Sequence, residues 1–555
     1  MTYHKIICSL LGLMLTAVTV SASTITHHRD TTAKNKILPI GGGNNQFQDA
    51  DFLAYFKDGI DLLKQDDLAK GINLISTGFQ KIDAQASVMR AMPYSTYELV
   101  SILKEVNGNT LSPNEKKLGQ AFIKNMFVYE PSEAEKNLIP HFKQVPNTLF
   151  AKRIRLFMLN AVNSKKTPAE LDALLKLTQD LVPANILKAE QCYDDEQYEK
   201  CINYSTRLLK ATPKYTHAYH MRAKSYANLK QYEKAIADYD AAIKLSPQML
   251  VLTYDRADAL MDMDQYAEAI TGFKVFVASE YKWTFYNIAR AYRNLKKLDS
   301  ALYYINEHIR QYPEDEDGYN IKGDIFTDNQ DYEKAISAYT TGLQFAPKDD
   351  DLFEDRADAY FWSRQYAEAI KDYQKAADIA ISPYRLDRIG SCYYYLNDYE
   401  KSIIYHNKAL KANPQYKYSY WSLNLTYNKM QKYRDAIVAG HKAIAIDSTY
   451  DGALGNLGWS YYCAGDYKNC IKYSYKALKY EPSTSYAMFN IALATLHNGD
   501  FEKAKERYRL FIDECHQKNY KINDGAIEDL KDLVKQNVMA KEATYIIEEI
   551  FKAQP

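Results

Sequence analysis

One phrase returns along this chain at a nearly constant interval, and the interval limits what the chain can fold into. The phrase has the form Y-x-x-A-I, and its first residue serves as an anchor. Anchors fall at Tyr198, Tyr232, Tyr266, Leu298, Tyr332, Tyr366, Tyr399, Tyr433, Tyr467 and Phe501. Successive steps are 34 residues, apart from one of 32 and one of 33. A unit of this length cannot bury its apolar face alone; it is stable only when stacked on further copies of itself.

Each unit reads as two helices. Nine residues before the anchor the side chain is small in most copies (Ala189, Ala223, Ala257, Gly323, Gly458), with Asn424 as the outlier. Three residues after it there is another small residue, such as Ala235, Ala335 or Cys470. Small residues at matched places let two helix backbones approach closely. Six residues before the anchor the chain usually has tyrosine (Tyr226, Tyr292, Tyr360, Tyr393, Tyr427, Tyr461). Proline comes fifteen residues after it in six copies (Pro213, Pro247, Pro313, Pro347, Pro414, Pro482) and ends the second helix, because it lacks the donor N–H. The 49 tyrosines of the chain thus have a place, as large amphipathic rings in the seams between stacked pairs.

In period and residue choice this pattern resembles the tetratricopeptide repeat, over roughly residues 182–518. The resemblance implies an all-α fold, a right-handed α-solenoid of stacked antiparallel helix pairs. It also implies that the first helix of each pair lines a concave groove.

Outside the ten repeats the reading is coarser. Lys5, the apolar run Ile6–Val20 and the small residues Val20-Ser21-Ala22 suggest an export signal over 1–22, cleaved near Ala22 or Ser23. The run is short for a membrane span, although an uncleaved anchor is the alternative. Residues 23–50 read as a polar leader and 51–181 as a divergent helical region. Within the latter, Gly59, Leu68 and Gly71 fall at the small, anchor and small offsets of a further copy. Residues 519–555 hold two amphipathic segments suited to capping the stack. The expected product is soluble and exported, periplasmic or secreted, with no membrane span once the signal is removed. The cysteines after Cys8 match no zinc or redox spacing. They read as small core residues, with Cys192–Cys201 and Cys463–Cys470 as the pairs that an oxidising compartment would permit to bond.

Function should show on the groove face, which the resemblance places at offsets −15, −12, −11, −8, −5 and −4 from the anchor, since packing does not dictate those residues. In the third, fifth and sixth copies these 18 positions carry ten acids and no Lys or Arg: Asp255, Asp258, Asp262, Asp317, Asp324, Asp328, Asp351, Glu354, Asp355 and Asp358. Arg290 and Arg293 interrupt the run in the fourth copy. A solvated charged face is the plain explanation; a surface for a cationic partner is the functional one. The later copies place aromatic residues there instead, among them Tyr384, Tyr394, Tyr395, Tyr418, Tyr462, Tyr486 and Phe489. All four tryptophans of the chain, Trp283, Trp362, Trp421 and Trp459, fall at these offsets. Some would pack between neighbouring helices; the others would form a binding hot spot.

The family's carboxylate-gripping mode, with Lys, Asn and Arg in successive repeats, is not reproduced. Lys224, His217 and His220 come nearest, and the acids of the third copy would repel a carboxylate. No phosphate loop, metalloprotease motif or nucleophile elbow is present, and no cofactor, metal or catalytic residue is assigned. Lys plus Arg equals Asp plus Glu at 70 each, which gives no field for nucleic acid. The function expected is a non-enzymatic exported scaffold that binds a basic and apolar peptide segment of a protein partner in the groove. A carbohydrate-binding solenoid and a structural adaptor of an envelope assembly are the alternatives.

The pentapeptide DRADA occurs at 255–259 and again at 355–359, three repeats and 100 residues apart. Duplication of a block, roughly 216–315 onto 316–415, accounts for it. Its alanines belong to the helix contact and its aspartates to the groove face.

Overall fold

The computed structural model describes residues 51–84, 94–128, 131–145, 147–161, 167–179, 181–278, 281–522 and 525–552. The expected signal and leader, with Cys8, lie outside the described residues. The described elements are all helices, arranged as a solenoid of successive antiparallel pairs. They form two compact units, the first ending at Pro313 and the second beginning at Glu314.

Every anchor is the first residue of a second (B) helix, from Tyr198–Ala211 through Tyr232–Leu245 to Phe501–Gln517. The first (A) helices precede them, from Val182–Asp194 and Thr216–Asn228 to Ser485–His497. A three-residue turn joins each pair. Its middle residue is left-handed in all ten copies: Glu196, Lys230, Asp264, Lys296, Gln330, Arg364, Asn397 and Gln431, then Gly465 and Gly499. The residue just before the anchor is the N-cap. Where it is aspartate, as at Asp331, Asp398, Asp466 and Asp500, its carboxylate accepts the N–H three residues on. The six prolines each follow the last residue of a B helix by two positions.

The small residues do what their placement suggests. The alanines at −9 and +3 are buried in every copy that has them. At Gly323 a Cβ would lie 2.3 Å from the Tyr339 ring, and at Gly390 2.7 Å from the His406 imidazole. The eighth repeat reverses the exchange. Asn424 fills the −9 place, Gly440 stands at +7, and Asn424 Nδ2 donates to the Ala436 carbonyl (2.7 Å) and to Ser460 Oγ (2.8 Å). Three of the seam tyrosines stack on a tyrosine of their B helix: Tyr292 on Tyr304 (5.4 Å), Tyr393 on Tyr405 (5.5 Å) and Tyr461 on Tyr473 (5.5 Å).

In the first unit, Asp51–Lys64 and Leu68–Ala84 make the divergent pair. Leu68 starts the second helix, Asp66 is left-handed in the turn, and a Cβ on Gly59 or Gly71 would strike the other's carbonyl oxygen. Helices Tyr94–Asn107, Pro113–Val128, Pro131–Gln144, Leu149–Ala161 and Thr167–Leu177 follow. Two of them are tied by Arg153, whose fork meets the buried Glu98 (2.8 and 3.1 Å) while Nη1 meets Glu105 (2.6 Å). Burial pushes the Glu98 carboxyl up to about 7, against the pull of Arg153. This region covers the A helix of the first repeat, where Ile186 and Leu187 share a core with Leu99 and Leu103.

In the second unit the last A helix is covered likewise. Phe489 and Leu493 are buried with Leu530, Leu533 and Ile546 from Gly525–Lys535 and Ala540–Ile546. The six described cysteines are free, and all but Cys463 are buried.

Candidate functional site

All the acids singled out in the sequence lie on A helices: Leu250–Asp262 in the first unit, Glu316–Asp328 and Asp350–Trp362 in the second. Side chains at −11 and −8 are one turn apart on one face, so Asp255 pairs with Asp258 and Asp355 with Asp358. Their surroundings differ sharply.

In the second unit the acids are largely answered from within. Arg385, buried at the start of the next A helix, meets Glu354 (2.5 Å), Asp350 (2.6 Å) and Asp351 (3.2 Å). The same guanidinium donates to the Ala376 and Ala380 carbonyls (3.1 and 2.9 Å), which end the B helix Tyr366–Ile379. It therefore caps a helix end in a repeat without the terminal proline. Asp358 accepts from the hydroxyls of Tyr373 and Tyr384 (the latter at 2.9 Å) and from Arg388 (3.3 Å). Arg388 lies 3.7 Å from the centre of the Phe361 ring, with Trp362 and Tyr384 further out. Asp324 accepts from Tyr339 (2.8 Å), while Asp317 and Asp328 flank it half-buried on the same helix. Asp355 makes no hydrogen bond or ion pair with the described residues. Burial, then the charges of Asp324, Asp358, Glu354 and Asp351, push its carboxyl up to about 8, so it is mostly protonated at neutral pH.

In the first unit the histidines of the second repeat are engaged rather than open to a carboxylate. His217 Nε2 lies 2.9 Å from Glu190 and His220 Nε2 2.6 Å from Asp255, while Lys224 sits over the Tyr193 ring (4.5 Å). Burial lowers the His220 pKa in spite of Asp255. Asp258 makes no hydrogen bond or ion pair with the described residues. Burial and the charges of Asp255 and Asp262 push it up to about 6, with Arg290 pulling the other way.

The aromatic positions divide. Trp362 is 57% exposed, Tyr395 52% and Tyr418 43%. These residues stand on the A helices of the sixth, seventh and eighth repeats. Tyr394 packs edge-on against Tyr395 (5.4 Å) and Trp421 against Tyr450 (6.0 Å), with the Trp421 indole N–H buried and unpaired among the described residues. Others serve packing. Trp459 stacks on Tyr462 (5.1 Å), and both lie against the C-terminal core that encloses Phe489. The Tyr486 ring occupies the space at Gly455, where a Cβ would come within 2.5 Å of it. In the first unit Trp283 packs edge-on against Tyr286 (5.3 Å), with Lys282 4.3 Å above its ring.

Sequence reasoning missed the arginine of DRADA. Arg356 forks onto Asp372 of its own pair (2.6 and 3.0 Å) and reaches Thr340 of the preceding repeat (2.9 Å). Arg222 does the same with Asp238 and Thr206. Arg256, whose own pair has Gly272 in that place, turns to Asp240 of the preceding repeat (2.6 Å). Every one of these contacts spans 16 residues, a spacing that was visible in the sequence.

Among the described residues no group of three or more His, Cys, Asp or Glu is arranged to hold a metal ion, and no helix is long and apolar enough to cross a membrane. These helix pairs, with polar and aromatic side chains set on A helices, define a repeat-built scaffold for protein–protein interaction. Tetratricopeptide-repeat family models match residues 216–249, 283–315, 322–385, 386–416 and 452–484, and the chain is a tetratricopeptide-repeat protein. No curated protein matches it. Solved structures that resemble it include MamA, 25% identical over 29% of this chain and 94% of that one, with a TM-score of 0.27. The C-terminal part of a repeat protein from Cytophaga hutchinsonii is 20% identical over 43% and 99% of the two chains, with a TM-score of 0.36. A tetratricopeptide repeat protein from Parabacteroides merdae is 15% identical over 44% and 98%, with a TM-score of 0.38.

Proposed function

We propose that the chain is a non-enzymatic exported scaffold whose A-helix face binds an extended segment of a protein partner. The observation that carries this is the exposure of Trp362, Tyr395 and Tyr418 on A helices of three consecutive repeats. Large rings in solvent are worth covering, at about 25 cal/mol per Å² of apolar surface removed from water. The charge reading becomes narrower. In the sixth repeat Arg385 and Arg388 already answer the acids, so that stretch favours apolar and aromatic contacts from the partner. Its basic residues belong with the acids of the third repeat.

The test is capture of partners from the envelope fraction by the wild type and by the variant Trp362→Ala, Tyr395→Ala, Tyr418→Ala. Capture should be lost while helical content is retained. Partners held equally by both proteins would refute the A-helix face and favour an adaptor that works through other surfaces. Export is tested separately, by mass spectrometry of the mature N-terminus, which should begin near Ser23.

A further inference from the structure

The two DRADA blocks are copies of one arrangement, and comparing them shows what one contains and the other lacks. In the sixth and seventh repeats Asp358 is met by a guanidinium, Arg388, and by the hydroxyl of Tyr373. Counted from the anchors, the corresponding residues of the third and fourth repeats are Asp258, Asn287 and Phe273. The carboxylate has been kept, while the guanidinium of Arg388 and the hydroxyls of Tyr373 and Tyr384 have no counterpart in Asn287, Phe273 and Trp283. The ring beside it has been kept as well, since Trp283 holds the place of Tyr384.

Asn287 supplies an independent sign. It is 1% exposed; its Nδ2 donates to the Tyr254 hydroxyl (2.6 Å), and its Oδ1 has no donor among the described residues. Arg388 meets Asp358 (3.3 Å) from the place that Asn287 holds in the fourth repeat, so the repeat geometry sets Asn287 on the side of Asp258, and the Tyr254 hydroxyl that it bonds feels the charges of Asp258 and Asp255. Arg290 is near enough to be felt by Asp258, but it makes no ion pair with it and lies 5.7 Å over the Tyr286 ring. Asp255 is bonded to His220, so Asp258 is the carboxylate of the two that makes no hydrogen bond or ion pair with the described residues.

We propose that the A-helix face of the third and fourth repeats binds an arginine side chain of the partner, its guanidinium held by the Asp258 carboxylate and the Asn287 side-chain carbonyl as Arg388 is held internally by Asp358. This rests on the reading of the A-helix face as the ligand surface and names one residue of the ligand. A bound guanidinium would donate to both acceptors, and charge-assisted bonds of this kind are about twice as strong as neutral ones.

The chain has four tryptophans, so selective ¹⁵N labelling of their indoles gives four signals, one of them at the site. The probe is Nα-acetylargininamide, with Nα-acetylcitrullinamide as its neutral isostere. The Trp283 signal should move saturably with the arginine compound and stay still with citrulline. Asp258→Asn should weaken the response at least about tenfold, as loss of a charge-assisted pair requires. Asn287→Arg should abolish it by restoring the internal guanidinium. Circular dichroism confirms that each variant is folded. A Trp283 signal that does not move, that moves equally with citrulline, or that is unchanged in Asp258→Asn overturns the proposal. Loss of partner capture in the Trp362, Tyr395 and Tyr418 variant together with a silent Trp283 would leave the A-helix face standing and remove only this subsite.

Discussion

Tyr373 donates its hydroxyl proton to Asp358 across the sixth helix pair, and 100 residues earlier Phe273 holds the place of that tyrosine and Asp258 the place of that aspartate. One oxygen atom separates the two rings. Tyr373→Phe should cost about 1–3 kcal/mol, because it removes one donor from a half-buried carboxylate. The opposite change, Phe273→Tyr, supplies a donor to Asp258 and should bring its pKa down from about 6. Denaturant melts read the first effect, and NMR titration of the Asp258 carboxyl reads the second. An Asp258 that titrates unchanged in Phe273→Tyr would show that the new hydroxyl does not reach it.

The helix pairs were legible in the sequence because each anchor does two jobs, starting a B helix and following a three-residue turn. Tyr232 and Tyr467 could be placed on helix starts from spacing alone. The divergent pair was legible for the same reason, since Gly59 and Gly71 are backbone-on-backbone contacts that no other residue type allows. The charge balance of the candidate face was not. The acids were counted at one set of offsets, whereas Arg385 reaches them from offset −14 of the following repeat, outside that set. Periodicity assigns faces; it does not say which long side chain from a neighbouring unit folds across them. Trp459 and Tyr462 show a related limit. Their offsets are those of a ligand face, but the C-terminal helices are packed there, and nothing in the repeat itself foretells that cover.

Asp355 makes stability depend on pH in an unusual direction. Its folded-state pKa, about 8, lies above the ordinary 3.8, so between those values the folded chain holds a proton that the unfolded chain has released. Stability from this group is therefore present at low pH and lost as pH rises through the window. Asp355→Asn removes the loss. The variant should be more stable than the wild type by about 1–3 kcal/mol at pH 8, with the difference vanishing near pH 4. A gain of equal size at both pH values would assign the effect to packing instead.

Arg385 should be the most costly single charge to remove in the second unit. It is buried, and it answers three carboxylates and two carbonyls at once. Arg385→Met leaves Asp350, Asp351 and Glu354 without this partner and uncaps the B helix of the sixth repeat. The expected loss is about 1–3 kcal/mol, the range for removing a charged hydrogen-bond donor whose partners stay partly solvated. Lys371→Ala, which removes an exposed i,i+3 pair with Glu368, should cost less than about 0.5 kcal/mol. Comparable losses in the two variants would mean that the Arg385 network contributes no more than a surface pair.

Gly465 isolates the cost of the left-handed turn. Its φ is +79°, and a Cβ built there meets nothing within 4 Å, so any penalty for substitution is one of backbone conformation alone. Eight of the ten repeats place a non-glycine residue at the same point, mostly long and polar, with Asn397 in the seventh. Gly465→Asn should therefore be mild. Gly465→Val, whose branched Cβ crowds the carbonyl in this region, should cost about 1–2 kcal/mol. Thermal melts of the two variants decide it. If valine and asparagine lower the midpoint equally, the turn is set by the helices on either side rather than by the residue within it.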